Sequence, residues 1–190
     1  MVTHSLELRL TYDDYCLIPH DGKRHEIIEG EHAMSPAPRI FHQQIVLELG
    51  RLLGNHIALS HEGKVFIAPV DVILSDSSVV QPDVLFVSTE RAHLIEDHAI
   101  VGAPDWVIEV LSEGNRRHDE IVKRKLYAQH GVAEYWIVDP ALGTIKVYRI
   151  TETGYTRIVE WRAEVHDTAT TPLLQGFTLA LPALFGKSSA

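Results

Sequence analysis

Two acidic residues, Asp83 and Glu109, lie in apolar segments of the chain where a charged side chain is unexpected. Residues 105–112 (DWVIEVLS) are almost continuously apolar, which predicts a strand buried on both faces. Residues 80–88 (VQPDVLFVS) predict a second strand, in which Asp83 shares a face with apolar side chains. A buried carboxylate costs several kcal/mol unless it is protonated, paired or bound to a cation. The pattern predicts two functional acids on neighbouring strands.

Each acid also has a structural interpretation. Glu109 could be buried against an arginine or lysine, and Asp83 could cap a kink at Pro82, which lacks a backbone N–H donor. Asp105 competes with Asp83 as the partner of Glu109, because Asp105 and Glu109 share one face of their strand. Four residues along a strand separate side chains by about 13 Å, too far for one cation. Asp105 is therefore interpreted as a strand-entry residue.

A third acid and a lysine are candidates for the same site. Glu26 lies in the predicted strand 24–33 (RHEIIEGEHA), where an exposed glutamate is the alternative. Asp119, Lys123 and Tyr127 follow one another at helical spacing and share one face of a predicted helix. Lys123 could form an ordinary surface ion pair with Asp119, or it could reach an anion or a water molecule beside the carboxylates.

Residues 116–125 (RRHDEIVKRK) form a basic segment in an acidic protein. The segment holds five basic and two acidic residues, whereas the whole chain has a formal net charge of −9. A solvated helix face is one interpretation of this segment. The other is a phosphate-binding edge beside the acidic site, with Arg116, Arg117 and Arg124 as nucleic-acid contacts.

Other common catalytic arrangements have no support in the sequence. The 12 histidines lack the HExxH spacing of zinc hydrolases and are interpreted as scattered surface or loop residues. The single cysteine, Cys16, excludes an intrachain disulfide and a multi-cysteine zinc site. Motifs of the GxSxG, P-loop and GxGxxG types are also missing, which argues against serine hydrolases, P-loop NTPases and Rossmann enzymes.

Strands alternating with helices are predicted to position these residues. The predicted helices span Thr11 to about Ile18, about 39–59 and about 118–130. The predicted strands span about 24–33, 64–74, 80–88, 105–112, 134–140 and 144–150, followed by antiparallel strands in YTRIVEW, TPLL and FTLAL. This order predicts an α/β or α+β domain with a mixed sheet.

Length and composition fit one domain over residues 1–190, with 45% hydrophobic and 23% charged residues. No apolar stretch approaches the roughly 18 residues needed to span a membrane. The N-terminal sequence MVTHSLELRL has no signal-peptide pattern, and a lone cysteine suits a reducing compartment. A cytoplasmic location is predicted.

Several segments together resemble the Uma-type restriction endonuclease family of the PD-(D/E)XK nuclease superfamily. The segments that carry the resemblance are RHEIIEGE, QPDVLFV, APDWVIEVLS, DEIVKRKLYAQHGVAEYWIVDP and LPALF. The combination of GV-EYW-VDP with an upstream EVLS is the most specific part. The resemblance covers about residues 10–185, nearly the whole chain.

The resemblance implies a restriction-endonuclease-like α/β (α+β) core, in which a mixed central sheet is flanked by helices. It implies a metal-dependent endonuclease that hydrolyses phosphodiester bonds in nucleic acid, expected to be DNA. Mg²⁺ or Mn²⁺ is the implied cofactor. Asp83 and Glu109 match the metal-binding acids of the motif, and Glu26 resembles an acid that an earlier element supplies. Superfamily members often dimerise, so a homodimer is also expected.

One position departs from the superfamily pattern. The usual lysine two residues after the glutamate is Leu111 here. The resemblance implies that Lys123 replaces it, with Lys125 as the alternative. Two other functions remain open: a catalytically inactive nuclease-fold module that binds nucleic acid or protein, and a structural dimerisation module.

Overall fold

The computed structural model describes residues 9–19 and 21–186. Most of the N-terminal segment considered for a signal peptide lies outside these ranges. The helices are α1 (Tyr12–Cys16), α2 (Ile40–Ser60), α3 (Arg124–Gln129) and α4 (Leu181–Phe185), with a π-helical turn (His118–Lys123) leading into α3 and 3-10 turns at Thr89–Leu94 and Ala163–Val165. The strands are β1 (Arg24–Ile28), β2 (Glu31–Ser35), β3 (Gly63–Ile67), β4 (Val72–Ser75), β5 (Ser78–Val80), β6 (Val84–Ser88), β7 (Ile100–Val101), β8 (Trp106–Val110), β9 (Glu134–Asp139), β10 (Thr144–Thr151), β11 (Gly154–Arg162), β12 (Thr168–Thr170) and β13 (Thr178–Ala180).

The strands form two mixed sheets and a separate antiparallel pair. The larger sheet has the order β11-β10-β9-β8-β6-β3, in which β8 and β9 are parallel and the other neighbours are antiparallel. The second sheet has the order β2-β1-β5-β4-β7, and β12 pairs with β13. Helix α2 packs against one face of the larger sheet and α3 against the other. The predicted mixed α/β architecture is confirmed.

Strand β8 is buried on both faces and separates two apolar clusters. Trp106 belongs to the cluster that contains Leu49 of α2, whereas Val107 belongs to the cluster that contains Leu126 of α3. This alternation follows from the pleat of a strand. Glu109 lies on the same face as Val107, so it is enclosed between the sheet and the helical segment 118–129.

Helix α2 follows the segment Ser35-Pro-Ala-Pro38, which ends strand β2 because proline lacks the donor that a sheet needs. The helix predicted at about 39–59 is confirmed at Ile40–Ser60. Its buried face holds His42, Ile45, Val46, Leu49, Leu53 and Ile57. His42 is the one ionisable side chain in this otherwise aliphatic set.

Three predicted strands are divided in the structure. The strand predicted at 24–33 is the hairpin of β1 and β2, whose turn contains Gly30 with a φ of 85°. The strands predicted at 64–74 and 80–88 each contribute one half to each sheet, as β3 with β4 and β5 with β6. Pro82 lies at the second break, where its missing N–H interrupts the ladder. The segment TPLL forms turns, so its prediction as a strand is wrong.

The break after β5 decides the position of Asp83. The residue precedes β6 instead of lying within a continuous strand, and it remains 3% exposed.

Within the part of the chain that the structure describes, no helix combines the length and the apolar character needed to cross a membrane.

Candidate active site

A cavity of about 290 Å³ brings together ionisable side chains from five separate parts of the fold. Its lining includes Arg24 of β1, His42 of α2, Asp83 before β6, Glu109 of β8, and Asp119 and Lys123 of the π-helical turn. Glu26 of β1 lies directly behind this lining, in contact with Lys123. The acids and the lysine singled out in the sequence therefore meet at one place.

Asp83 is buried and accepts hydrogen bonds on both carboxylate oxygens. Arg24 Nη1 lies 2.8 Å from Oδ1. His42 Nε2 at 3.0 Å and the backbone N–H of Val110 at 2.9 Å both reach Oδ2. Burial raises the pKa of Asp83, but the contacts with His42 and Arg24 outweigh burial and lower the pKa to about 2. Asp83 is therefore ionised at neutral pH.

Glu109 is buried next to Asp83 but has the opposite electrostatic environment. Its Oε1 accepts hydrogen bonds from Lys123 Nζ at 3.0 Å and from the Tyr127 hydroxyl at 2.9 Å. Its Oε2 lies 3.3 Å from the backbone N–H of Asp83. Burial raises the pKa of Glu109; Lys123 opposes this shift, and the charges of Asp83 and Glu26 reinforce it. Asp83 is therefore held as an anion, whereas Glu109 accepts a proton more readily than an ordinary glutamate does.

Lys123 is 2% exposed and lies between two carboxylates. Its Nζ is 2.8 Å from Glu26 Oε1 and 3.0 Å from Glu109 Oε1, with Asp119 Oδ1 farther away at 3.9 Å. Burial lowers the pKa of Lys123, but Glu109 and Glu26 outweigh burial and raise it. An ordinary surface ion pair between Lys123 and Asp119 is therefore wrong, because both residues are buried.

The alternative lysine points elsewhere. The side chain of Lys125 is 67% exposed, and it lies 3.9 Å from Glu29 at the turn between β1 and β2. Leu111, at the usual lysine position, is buried in the apolar cluster beside α3. A lysine at position 111 would enter that cluster.

Asp119 adds a fourth carboxyl group to the cavity. Burial raises its pKa, Lys123 opposes the shift, and Glu109 and Asp83 reinforce it, so that the pKa reaches about 8 from an ordinary value of 3.8. The folded protein therefore holds a proton on Asp119 that the unfolded chain releases at lower pH.

This proton predicts a pH dependence of stability. Protonated Asp119 adds to the free energy of unfolding. This stabilisation is fully present below about pH 3.8 and is lost as the pH rises towards about 8. The slope from this group reaches about 1.4 kcal/mol per pH unit within that window. We expect Asp119→Asn to flatten the decline of urea-unfolding free energy between pH 5 and pH 8. An Asp97→Asn variant, at an exposed position, should keep the wild-type slope; identical slopes in all three proteins would contradict the assignment.

Two residues of the site, Arg24 and His42, were missed at the level of sequence. The interpretation of the histidines as surface or loop residues is wrong for His42, which is buried against Asp83. The sequence nevertheless contained a pattern that could have identified each residue. Arg24 and Glu26 share one face of a strand by alternation, and His42 interrupts the aliphatic face of α2. Neither pattern identified Asp83 as the partner.

The acid that competed with Asp83 lies outside this cluster. Asp105 accepts a hydrogen bond from the backbone N–H of Ser88 at 2.8 Å and lies 3.4 Å from Arg91. It precedes β8, and its contacts join the ends of two strands. Its interpretation as a strand-entry residue is consistent with these contacts.

The three arginines proposed as nucleic-acid contacts occupy different environments. Arg116 pairs with Asp139 at 2.7 Å, and its side chain is 40% exposed. The Arg124 guanidinium lies 5.2 Å from the centre of the Tyr148 ring. Arg117 is exposed. All three stand outside the lining of the acidic cavity.

The donor set of the cavity fits a hard divalent cation. Asp83 and Glu109 supply carboxylate oxygens, and four carboxyl groups face only two permanent cations, Arg24 and Lys123. One buried oxygen, Glu26 Oε2, has no hydrogen-bond partner in the described residues. Residues 9–19 and 21–186 contain no group of three or more histidine, cysteine or acidic side chains already arranged around a metal position. Mg²⁺ commonly takes one or two carboxylates and completes its shell with water and substrate phosphates, so two acids suffice.

The mixed sheet flanked by helices is a nuclease-type fold, and two acids and a lysine meet in one of its cavities. The chain belongs to the family described as "Uma2: Putative restriction endonuclease", whose model matches residues 11–182. This membership confirms the resemblance found in the sequence and supports a nuclease function in general terms.

A solved structure gives independent evidence for the fold. The chain is similar to a crystal structure described as "a putative nuclease belonging to DUF820" from Anabaena variabilis, with a TM-score of 0.78 and 23% sequence identity. The similarity covers 93% of this chain and 97% of that chain. A search of curated proteins finds no match.

Proposed function

We propose that this protein is a divalent-metal-dependent endonuclease that hydrolyses phosphodiester bonds in DNA, with Mg²⁺ or Mn²⁺ as the cofactor. The observation that carries the proposal is the meeting of Asp83, Glu109 and Lys123 in one cavity. Their contacts join three separate elements of the fold, and the family to which the chain belongs is described as "Putative restriction endonuclease".

The residues have distinct roles in this proposal. Asp83 and Glu109 hold the metal ion, which when bound supplies Lewis-acid activation of water and neutralises charge on the phosphate. Lys123 has three N–H donors, of which Glu26 and Glu109 engage two. The third donor stabilises charge on a phosphate oxygen or orients the attacking water. Glu26 holds Lys123 in place through a contact of 2.8 Å.

Binding of the metal provides the first test. We expect Mg²⁺ at a hundredfold excess over its Kd to raise the free energy of unfolding of the wild type by about 2.7 kcal/mol. Asp83→Asn should lose most of this gain, because it removes a charged ligand. The exposed Asp97→Asn variant should keep it. A wild-type unfolding curve that does not respond to Mg²⁺ or Mn²⁺ would contradict the metal site.

Cleavage provides the second part of the same test. The assays measure nicking of supercoiled plasmid and cleavage of single-stranded DNA and RNA. Activity should depend on the metal and should be lost in Asp83→Ala. If the protein cleaved only RNA, the proposal of a metal-dependent nuclease would stand, and the proposed substrate would change from DNA to RNA.

A nuclease-fold module without catalytic activity is the second candidate. It is favoured by the internal neutralisation of the acids, since Arg24 pairs with Asp83 and Lys123 with Glu109. Such a module would bind nucleic acid or protein without a metal requirement. A purely structural dimerisation module would show neither metal binding nor nucleic-acid binding. The titration and the cleavage assay above separate the endonuclease from both alternatives. Nucleic-acid binding without metal, measured by fluorescence anisotropy, identifies a nucleic-acid-binding module and is not expected of a dimerisation module.

The basic segment 116–125 is proposed as the nucleic-acid contact, through Arg116, Arg117 and Arg124. Each lost duplex phosphate contact should reduce the slope of log K against log salt by about 0.9. Arg117→Gln is the cleanest variant, because Arg117 is exposed. Arg157→Gln on β11, with a side chain 56% exposed, is the matched control. Equal slopes for wild type and Arg117→Gln, measured by fluorescence anisotropy, would exclude Arg117 from the interface.

The homodimer, the single-domain organisation and the cytoplasmic location stay predictions from the sequence and the family resemblance.

A further inference from the structure

We propose that Arg24 is an exchangeable cation of the active site: it neutralises Asp83 in the metal-free protein and binds a substrate phosphate once a metal ion has taken its place. This inference rests on the proposed function and deepens it. It assigns a phosphate-binding residue and a coupling between metal binding and nucleic-acid binding.

The two oxygens of Asp83 differ in how firmly their partners are held. Oδ2 accepts from the backbone N–H of Val110, within the central sheet, and from His42 on the buried face of α2. Both donors are fixed by the packing of their elements. Oδ1 accepts from a single described side chain, Arg24, at 2.8 Å. A cation that approaches Asp83 therefore meets Oδ1, the oxygen with the fewer donors, directly beside the guanidinium of Arg24.

Coulomb repulsion makes the two cations competitors. A divalent ion bound at Asp83 would lie beside the guanidinium charge, in a partly buried cavity where water screens their repulsion less than in bulk solvent. Because the Arg24 side chain is 21% exposed and borders the cavity, it can move towards the open side. Lys123 cannot, because its side chain is 3% exposed and Glu26 and Glu109 hold it.

The guanidinium of Arg24 retains unused donors. It contacts Asp83 through Nη1 and the backbone carbonyl of Gln81 through Nη2, and its Nε has no partner among the described residues. A guanidinium has five N–H donors in a planar arrangement that matches two oxygens of a phosphate. When Arg24 leaves Asp83, the cavity gains an arginine with this geometry.

The exchange has a consequence for the order of binding. In the metal-free protein the cavity is acidic and its arginine is engaged, so phosphate is disfavoured. Metal binding adds positive charge and frees Arg24. Linkage then requires phosphate and metal to strengthen the binding of each other by the same factor.

The test compares metal affinity and DNA affinity in Arg24→Gln and the wild type. Calorimetric titration with Mn²⁺, without nucleic acid, should show a Kd for Arg24→Gln that is lower by on the order of tenfold. DNA affinity is measured with a short fluorescein-labelled oligonucleotide, with and without Ca²⁺. The increase in DNA affinity on addition of Ca²⁺ should be smaller in Arg24→Gln than in the wild type. Arg39→Gln, at the cavity rim and paired with Glu113 at 2.6 Å, is the control for the metal titration and should keep the wild-type Kd.

Unchanged or weaker Mn²⁺ binding by folded Arg24→Gln would overturn the exchange. If this variant does not fold, Arg24→Lys decides, because it keeps the charge but loses the bidentate geometry. Arg24→Lys should bind Mn²⁺ like the wild type and lose part of the metal-dependent gain in DNA affinity; a full gain would overturn the phosphate role. A wild type that binds no metal would instead refute the proposed function, so the two failures are distinguishable.

Discussion

Replacing Lys123 with methionine is expected to lower the free energy of unfolding by about 3–5 kcal/mol. The ammonium group lies between Glu26 and Glu109, at 2.8 and 3.0 Å, and all three side chains are buried. Removal of one partner leaves carboxylates without compensation in a medium that solvates them poorly. Urea unfolding measures the loss. Lys125→Met changes an exposed side chain two residues away, and it should alter stability by no more than about 0.5 kcal/mol.

The same substitution is expected to reduce cleavage by about a hundredfold or more, because a group that stabilises transition-state charge is lost. Cleavage has to be measured at a temperature where circular dichroism shows that Lys123→Met is folded. Lys125→Met again serves as the control and should cleave like the wild type. If folded Lys123→Met retained full activity, the lysine would be purely structural. If Lys125→Met lost activity instead, the catalytic assignment would move to that residue.

Asp83→Asn and Glu109→Gln are each expected to reduce cleavage by about a hundredfold or more, yet to change metal-free stability differently. The folded state holds Asp83 at a pKa of about 2 against an ordinary 3.8, so its ionised form stabilises the fold above pH 3.8. Asp83→Asn should therefore cost about 2 kcal/mol at neutral pH. Because the pKa of Glu109 is raised, its site favours an uncharged group, and Glu109→Gln should leave stability unchanged or higher.

The pH dependence distinguishes these two effects. The stabilisation by ionised Asp83 is lost as the pH falls towards about 2, so the difference between wild type and Asp83→Asn should disappear there. Chemical unfolding of both variants across the acid range, without metal, gives the comparison. Equal destabilisation by the two substitutions would show that the acids have equivalent environments, contrary to their contacts with Arg24 and Lys123.

Local patterns in the sequence determined much of the fold. The amphipathic helix α2 and the doubly buried strand β8 were predictable, because helical and strand periodicity depend on nearby residues alone. The same alternation predicted that Glu109 is buried, and the burial of Asp83 followed from its apolar neighbours. The family resemblance then indicated which acids and which lysine belong to one site.

The divided strands were not predictable in this way. An apolar run such as 64–74 has the same pattern whether it forms one strand or two, and only the packing of two sheets requires the break. The hairpin at 24–33 was missed for a similar reason, although Gly30 carried a turn signal.

Tertiary structure alone decided which partner each buried charge has. Arg24 and Asp83 are 59 positions apart in the chain, and Glu26 and Lys123 are 97 apart. Such pairs form because separate elements pack around one cavity, and periodicity within any single element contains no information about the others. For the same reason, the sequence could place Lys123 on a helix face with Asp119 but could not show that this face is buried. The cost of burying a charge is set by the whole environment, so the electrostatics of the site belong to the fold and not to any segment of it.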